Sequence, residues 1–162
     1  NGLVNYVLVN IGILDKPYNF LTQPFAAKMV ILLGLLWRWT GYNMVFFLSG
    51  LQNIEYSVYE AAKIDGASAI QTFFKITVPL LKPTILLTAI MSTNGTLQLF
   101  DESINLTDGG PANASISMSH YIYNLCFKYV PNFGYAAAMS FFILLLVAVL
   151  AFIQMRVGDK RD

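Results

Sequence analysis

The stretch YAAAMSFFILLLVAVLAFIQM, Tyr135 to Met155, carries no Asp, Glu, Lys or Arg over about 20 residues. In hydrocarbon the backbone must satisfy its own N–H and C=O groups, and a helix of this length, rising ~1.5 Å per residue, crosses a ~30 Å core. This stretch is read as a membrane span. The rest of the chain agrees: of 162 residues, 56% are hydrophobic and only 12% charged. With a mean hydropathy of +0.57, the chain is too apolar for an ordinary soluble domain.

Working outward from that span, Ala26 to Gln52 holds MVILLGLLW and MVFFLSGL, long enough to cross although Arg38 interrupts it. Thr84 to Phe100 (TILLTAIMSTNGTLQLF) is shorter and becomes polar toward its end. It spans only if its Ser, Thr, Asn and Gln face protein or a watery path. The expected fold is therefore an all-α, polytopic membrane bundle with spans at about 26–52, 83–100 and 135–155. A loop at 53–82 and another at 101–134 connect them.

Excess Lys and Arg mark the cytoplasmic side. Lys63, Lys75 and Lys82 lie between spans one and two, and Arg156, Lys160 and Arg161 follow span three, so both segments are expected inside. The 101–134 loop sets Asp101, Glu102 and Asp108 against the single Lys128 and contains the turn-forming Asp108-Gly109-Gly110-Pro111. It is expected outside, with the start of the chain. That start, Asn1-Gly2-Leu3, has no initiator Met and no basic segment before an apolar run, so the sequence is read as a piece of something longer.

Several functions are excluded. No basic run or Lys/Arg stripe exists to track phosphates, so nucleic acid is not an expected partner. Cys126 is alone and cannot form an internal disulfide, and no His/Cys cluster has metal-ligand spacing. No metal or cofactor is expected. Asn94, Asn105 and Asn113 each begin an Asn-x-Ser/Thr triplet, but Asn94 falls within a span, and the three are read as chance. His120, the single histidine, has no nucleophile motif or HExxH pattern beside it and is read as a surface residue with no catalytic role. Tyr121, Tyr123, Phe127 and Tyr129 are read as an aromatic belt at the outer interface.

The 53–82 loop carries the most specific signal. Glu60-Ala61-Ala62-Lys63 favours helix, Gly66 permits a bend, and Ala69 to Ile76 resumes a helical pattern that Pro79 and Pro83 are expected to stop. The result is an elbow of two short helices. Small residues at Ala61, Ala62, Ala67 and Ala69 permit close approach, and Ile64, Ile70, Phe73 and Phe74 offer apolar anchors.

Glu60-Ala61-Ala62, three residues, Gly66, nine residues, Ile76, one residue and Val78-Pro79 together resemble the EAA loop of binding-protein-dependent ABC permeases. Val78 replaces the usual Leu. The resemblance continues on both sides, through Trp39-Thr40-Gly41-Tyr42 and Leu48-Ser49-Gly50-Leu51-Gln52 before the loop. After it come Phe100-Asp101, Leu106-Thr107-Asp108-Gly109-Gly110-Pro111, Tyr121-Ile122-Tyr123 and Phe133-Gly134-Tyr135-Ala136-Ala137-Ala138-Met139-Ser140. These look like maltose-type sugar permeases. Glu55 stands where the family commonly has Pro, a departure expected to loosen the start of the loop.

The resemblance implies the C-terminal half of a permease subunit in a bacterial inner membrane. It implies a second permease subunit, cytoplasmic ABC ATPase subunits that hydrolyse ATP, an extracytoplasmic solute-binding protein, and a sugar as cargo. It assigns coupling to the ATPase to Glu60, Ala61, Ala62, Asp65, Gly66 and Ala67. Glu60 either pairs with a basic group of the ATPase or supports its own helix, and Asp65 either caps the second helix or touches the partner.

A sugar in a membrane exchanges water hydrogen bonds for protein ones, so its site combines polar groups with aromatic faces. Trp37, Thr40, Gly41 and Met44 share a face of span one, and Ser92, Gly95, Thr96 and Leu99 share one of span two, with Asn94 and Gln98 nearby. They resemble positions lining the sugar site of maltose permeases, although the residue types differ. Ordinary helix packing is the equal alternative. Arg38 lies ~21 Å above Gln52 and Asp101 ~27 Å above Pro83 at helical rise. Arg38 therefore pairs with Asp101 or Glu102 as a gate or sugar-binding group, or else snorkels or pairs with another helix.

Other classes compete with the importer. A membrane enzyme would need Asp101, Glu102 and His120 to converge; a channel or passive scaffold would not need the elbow. A permease for amino acids, phosphate or metals shares the loop but not the flanks.

Overall fold

Pro24 occupies the first turn of the longest helix, where its missing N–H costs nothing, and an apolar run then carries that helix on to Gln52. In the computed structural model, which describes residues 2–158, every regular element is helical and no strand forms among the described residues. The elements are α1 (Leu3–Asn10), α2 (Pro24–Gln52), α3 (Tyr56–Ile64), α4 (Ala69–Thr72), α5 (Val78–Leu80), α6 (Lys82–Leu97), α7 (Met118–Tyr123) and α8 (Phe133–Gly158). Three single π turns, Phe73–Thr77, Ser103–Thr107 and Asn124–Lys128, are spliced among them. Lys160 and Arg161, which contributed to the expected orientation, lie outside the described residues.

By length and composition α2 and α8 are each able to cross a membrane, with a third crossing if Ala69–Leu80 and Lys82–Leu97, bent by 65°, act as one broken span. The helix expected at 83–100 stops at Leu97. Its 16 residues give ~24 Å at helical rise, short of a ~30 Å core.

The prolines act differently from expectation. Pro79 and Pro83 do not stop helix; each sits in the first two positions of a helical segment, α5 and α6. The π turn Phe73–Thr77 leads directly into α5, so the helical run passes Pro79 and reaches Leu80, and the 65° bend falls at Leu81, between α5 and α6. The 101–134 segment is likewise no open loop, since two π turns and α7 occupy it. The anticipated turn is present: Asp108 (φ 47) and Gly109 (φ 78) are both left-handed.

α6 is the hub, packed between α2 and α8. Close approach to α2 is achieved with glycine. A Cβ on Gly50 would lie 2.8 Å from Thr84 Oγ1 and 2.9 Å from Leu81 Cδ2, and one on Gly95 would run into the Trp39 indole. Between them Asn43 Nδ2 donates to Ser92 Oγ (3.1 Å) and Ser92 Oγ donates back to Asn43 Oδ1 (3.3 Å). Toward α8, Gln154 Nε2 donates to Thr93 Oγ1 at 2.7 Å. Polar pairs of this kind hold membrane helices together at ~0.6 kcal/mol each. α2 buries only Ala27 and Ile31, and α8 only Ala136 and Ile143. Their remaining apolar surface is therefore available to lipid or to other helices.

Candidate functional site

The elbow is built from local chemistry. α3 ends at Asp65, and Gly66 turns the chain with φ +76, a conformation costly for any residue bearing a Cβ. Ser68 then starts α4 with a reciprocal capping box: its hydroxyl accepts from Gln71 N–H (3.3 Å) while Gln71 Oε1 accepts from Ser68 N–H (2.9 Å). Asp65 therefore does not cap the second helix. It is the C-cap of the first, and the Ser68-x-x-Gln71 signature was the legible signal for the cap.

Ala62 is corrected as well. Its side chain is buried, and its carbonyl accepts from Ala67 N–H at 3.0 Å, so it packs the elbow from within and offers no docking surface. Tyr59 Oη and Thr77 Oγ1, 3.3 Å apart, tie the first limb of the elbow to the second. Glu60, Ala61, Asp65 and Gly66 are exposed and Ala67 is half-buried. Ile64 (86% exposed), Ile70 (71%) and Phe74 (66%) flank the turn without apolar cover. Phe73 and Phe74 meet edge to face at 5.0 Å. Glu55 has a φ of −61, so the backbone at the loop start follows the course a proline would impose there.

The residues expected along a path divide. Trp37, Thr40, Gly41 and Met44 all lie on exposed parts of α2, Trp37 at 84%. On α6, Ser92 is occupied by Asn43 and Gly95 is covered by Trp39, so these two serve the α2–α6 contact. Thr96 and Gln98 are exposed, with Gln98 Nε2 donating to Asn94 Oδ1 at 2.7 Å, and Leu99 is half-buried. Trp39, Asn43, Thr93 and Gln154 were missed. Their signal was polar or bulky residues facing a small one across two helices, which no single-helix pattern contains.

Arg38 Nη1 lies 2.8 Å from Glu102 Oε1, which selects Glu102 over Asp101. The Arg38 guanidinium also stands 5.5 Å from the Trp39 ring centre. Glu102 is only 11% exposed and its Oε2 is buried without a hydrogen-bond partner among the described residues; Arg38 is 42% exposed. Such a carboxylate, half-satisfied and held by one cation, is anchored between α2 and the segment after α6.

The largest correction concerns His120, which is fully buried rather than on the surface. Its Nδ1 is 2.9 Å from Ser103 Oγ, itself fully buried. Ser103 Oγ donates to the Ser115 carbonyl (2.9 Å) and accepts from Ser117 N–H (3.2 Å). Phe100 packs edge-on against both His120 (6.0 Å) and Tyr123 (5.3 Å), so Tyr123 is part of this cluster. Burial lowers the His120 pKa from its ordinary value. The hydrogen bond and charge of Lys128 Nζ, 2.9 Å from Asp108 Oδ1, lower the Asp108 pKa, and Asp108 in turn raises that of Lys128.

The chain is similar over nearly its whole length to known proteins. The lactose transport system permease protein LacF of Rhizobium radiobacter is 53% identical over 163 residues, covering 99% of this chain and 55% of the relative. The trehalose/maltose transport system permease protein MalF of Thermococcus litoralis is 36% identical over 160 residues, covering 99% of this chain and 53% of its own length. The crystal structure of a bacterial ABC transporter that imports the acidic polysaccharide alginate superimposes with a TM-score of 0.82 at 26% identity, covering 98% of this chain and 55% of that one. The chain thus spans about half the length of the curated relatives it matches. A family model, "binding-protein-dependent transport system inner membrane component", matches residues 3–161, and the chain belongs to that family.

Proposed function

We propose that this chain supplies the C-terminal half of a transmembrane permease subunit in an ATP-driven, binding-protein-dependent importer, and that its cargo is a sugar. The observation that carries this reading is the elbow: a capped helical hairpin, turned at a left-handed Gly66, that leaves Ile64, Ile70 and Phe74 exposed beside Glu60. Exposed apolar anchors around a rigid turn are what docking onto a partner cleft requires. The partner is a cytoplasmic ATPase subunit that hydrolyses ATP on the permease's behalf. Rigid-body closure of the ATPases moves the elbow and, through the 65° bend into α6, the helices above it.

Lys63, Lys75 and Lys82 support a cytoplasmic elbow, and Arg156, Lys160 and Arg161 a cytoplasmic C-terminus. The exposed face of α2 with Trp37, Thr40, Gly41 and Met44, extended by Thr96 and Gln98 of α6, is the proposed wall of the path, shared with a second permease subunit. Relatives named for lactose, trehalose/maltose and arabinooligosaccharides support a sugar over an amino acid or phosphate. A solved relative is described in complex with an alginate-bound periplasmic protein, which supports an extracytoplasmic binding protein as a further partner.

The test is a reconstituted full-length importer assayed with a panel of mono- and oligosaccharides, with and without binding protein and ATP. Proline cannot adopt the φ of +76 found at Gly66. Gly66→Pro is therefore expected to leave membrane insertion intact and abolish ATP-driven uptake. Uptake that survives this change, or that persists without ATP as in a channel or passive scaffold, overturns the reading.

A further inference from the structure

The uncharged run from Tyr135 to Met155 measures ~30 Å as helix, one hydrocarbon core. Arg156 is the first charge after it, in the last turn of α8, so its exposed guanidinium stands at the level of phospholipid headgroups. It meets no acid and makes no hydrogen bond among the described residues. Its neighbour is Phe152, whose ring centre lies 5.7 Å from Cζ. Asp159, Lys160, Arg161 and Asp162 follow it in the sequence and add no net charge.

Phe152, Met155 and Arg156 recur at three- and four-residue spacing and share one face of α8. With Leu86 of α6 they line an open cleft of about 560 Å³. The cleft runs beside the line where the two helices touch. That contact is made at Gln154 and Thr93, and again at Gly158, where a Cβ would lie 2.6 Å from Leu86 Cδ1. α7 does not line it: Ser119 and Ile122 meet α8 around Ser140, Ile143 and Leu144, two turns or more away.

We propose that this cleft binds a net-anionic phospholipid, an acyl chain lying against Leu86, Phe152 and Met155 and the headgroup phosphate on the Arg156 guanidinium. The walls are apolar and the one charged group at the rim is a cation, which is the complement of an amphiphile with an anionic head. A guanidinium pairs with phosphate through two N–H groups at once. A peptide in the same place would leave its backbone N–H and C=O groups unpaired against hydrocarbon. Free phosphate would meet the charge and gain nothing from the walls. Lys82, one turn before Leu86 on the same face of α6, is already engaged by another group, so Arg156 selects the head. The bound lipid fills the flank of α6 just over one turn above the 65° bend. That this end faces the cytoplasmic leaflet rests on the proposed function; the pairing of cleft and cation does not.

The test is native mass spectrometry of the full-length permease in detergent, titrated with phosphatidylglycerol or with phosphatidylcholine of the same chains. Wild type is expected to bind the first phosphatidylglycerol about fivefold more tightly, the worth of one cation beside an anionic head. Arg156→Gln is expected to abolish that preference and Arg156→Lys to keep most of it. Inorganic phosphate is expected not to displace the lipid. Phosphatidylglycerol with a photoactivatable acyl chain is expected to label residues 149–156. Leu86→Trp fills the cleft and is expected to weaken both lipids without changing their ratio; should it fail to fold, Arg156→Gln, at an exposed position, decides alone. Equal binding of the two lipids by wild type, a preference retained in Arg156→Gln, displacement by inorganic phosphate, or labelling that misses 149–156 because another helix of the permease covers the cleft overturns the proposal. Since lipid binding is read here and uptake is read in Gly66→Pro, the two ideas fail separately.

Discussion

Replacing Gly95 by Ala places one methyl group where the Trp39 indole already lies. The indole is not free to swing aside. Its ring meets Tyr42 edge to face at 5.5 Å, and the Arg38 guanidinium sits 5.5 Å from its centre. The helices themselves must separate, or the ring must leave a packed position, and overpacking of this kind costs about 1–3 kcal/mol. A change of that size alters the folded-to-unfolded ratio by between several-fold and about a hundredfold, at tenfold per ~1.4 kcal/mol. The damage is expected at a defined place. Asn43 and Ser92, one turn below, would part, and Arg38 would lose the ring beneath it. The assay is thermal unfolding of the full-length permease in detergent, with ATP-driven uptake alongside. Trp39→Leu alone leaves a cavity and also destabilises. Together with Gly95→Ala the added methyl occupies part of that space, so the double variant is expected to be more stable than the sum of the single losses by at least about 0.5 kcal/mol. A neutral Gly95→Ala, or strictly additive effects, refutes the close α2–α6 contact.

Arg38→Met leaves Glu102 buried with neither oxygen paired. Breaking a fully buried pair costs about 3–5 kcal/mol, and since Arg38 is 42% exposed water screens part of this, giving a loss of roughly 1–3 kcal/mol. Adding Glu102→Gln is expected to recover part of the stability, measured in the same unfolding assay; unchanged assembly and uptake in Arg38→Met alone removes the pair from any gating role. Ser68→Ala deletes one half of the capping box and is expected to destabilise the elbow by about 0.5–2 kcal/mol, read as faster hydrogen exchange across 66–77. Uptake is expected to fall with it, and an unaltered exchange rate shows the cap to be dispensable.

The elbow was legible because its determinants are local. A helix-forming run, a glycine at the bend and apolar residues at the turn all act within a few residues, and the structure keeps each in place. Where the reading failed, a non-local contact decided. Ala62 looks like its neighbour Ala61 in sequence, yet one faces inward and the other outward because of the packing that Tyr59 and Thr77 bring together. Pro79 is a local exception: it looked like a helix stop, but it stands in the first turn of α5, where a proline is tolerated, directly after a π turn. Lone His120 carried no motif at all. Its burial depends on Ser103, Phe100 and Asp108, which lie 12 or more positions away in the chain and converge only through the turn.

Hydropathy and spacing alone determined that this chain is helical, that α2 and α8 are apolar enough to cross a membrane, and that a bent, alanine-rich hairpin joins α2 to α6. These properties follow from burying apolar surface and pairing backbone groups within one segment, both written in consecutive residues. Tertiary structure decided which polar residues are used up inside the bundle and which remain open. Ser92 and Gly95 went to helix contacts, Thr96 and Gln98 stayed exposed, and Arg38 took Glu102 rather than Asp101. A side chain's partner across two helices depends on their separation and rotation, and those emerge only when glycine at one position meets tryptophan at another.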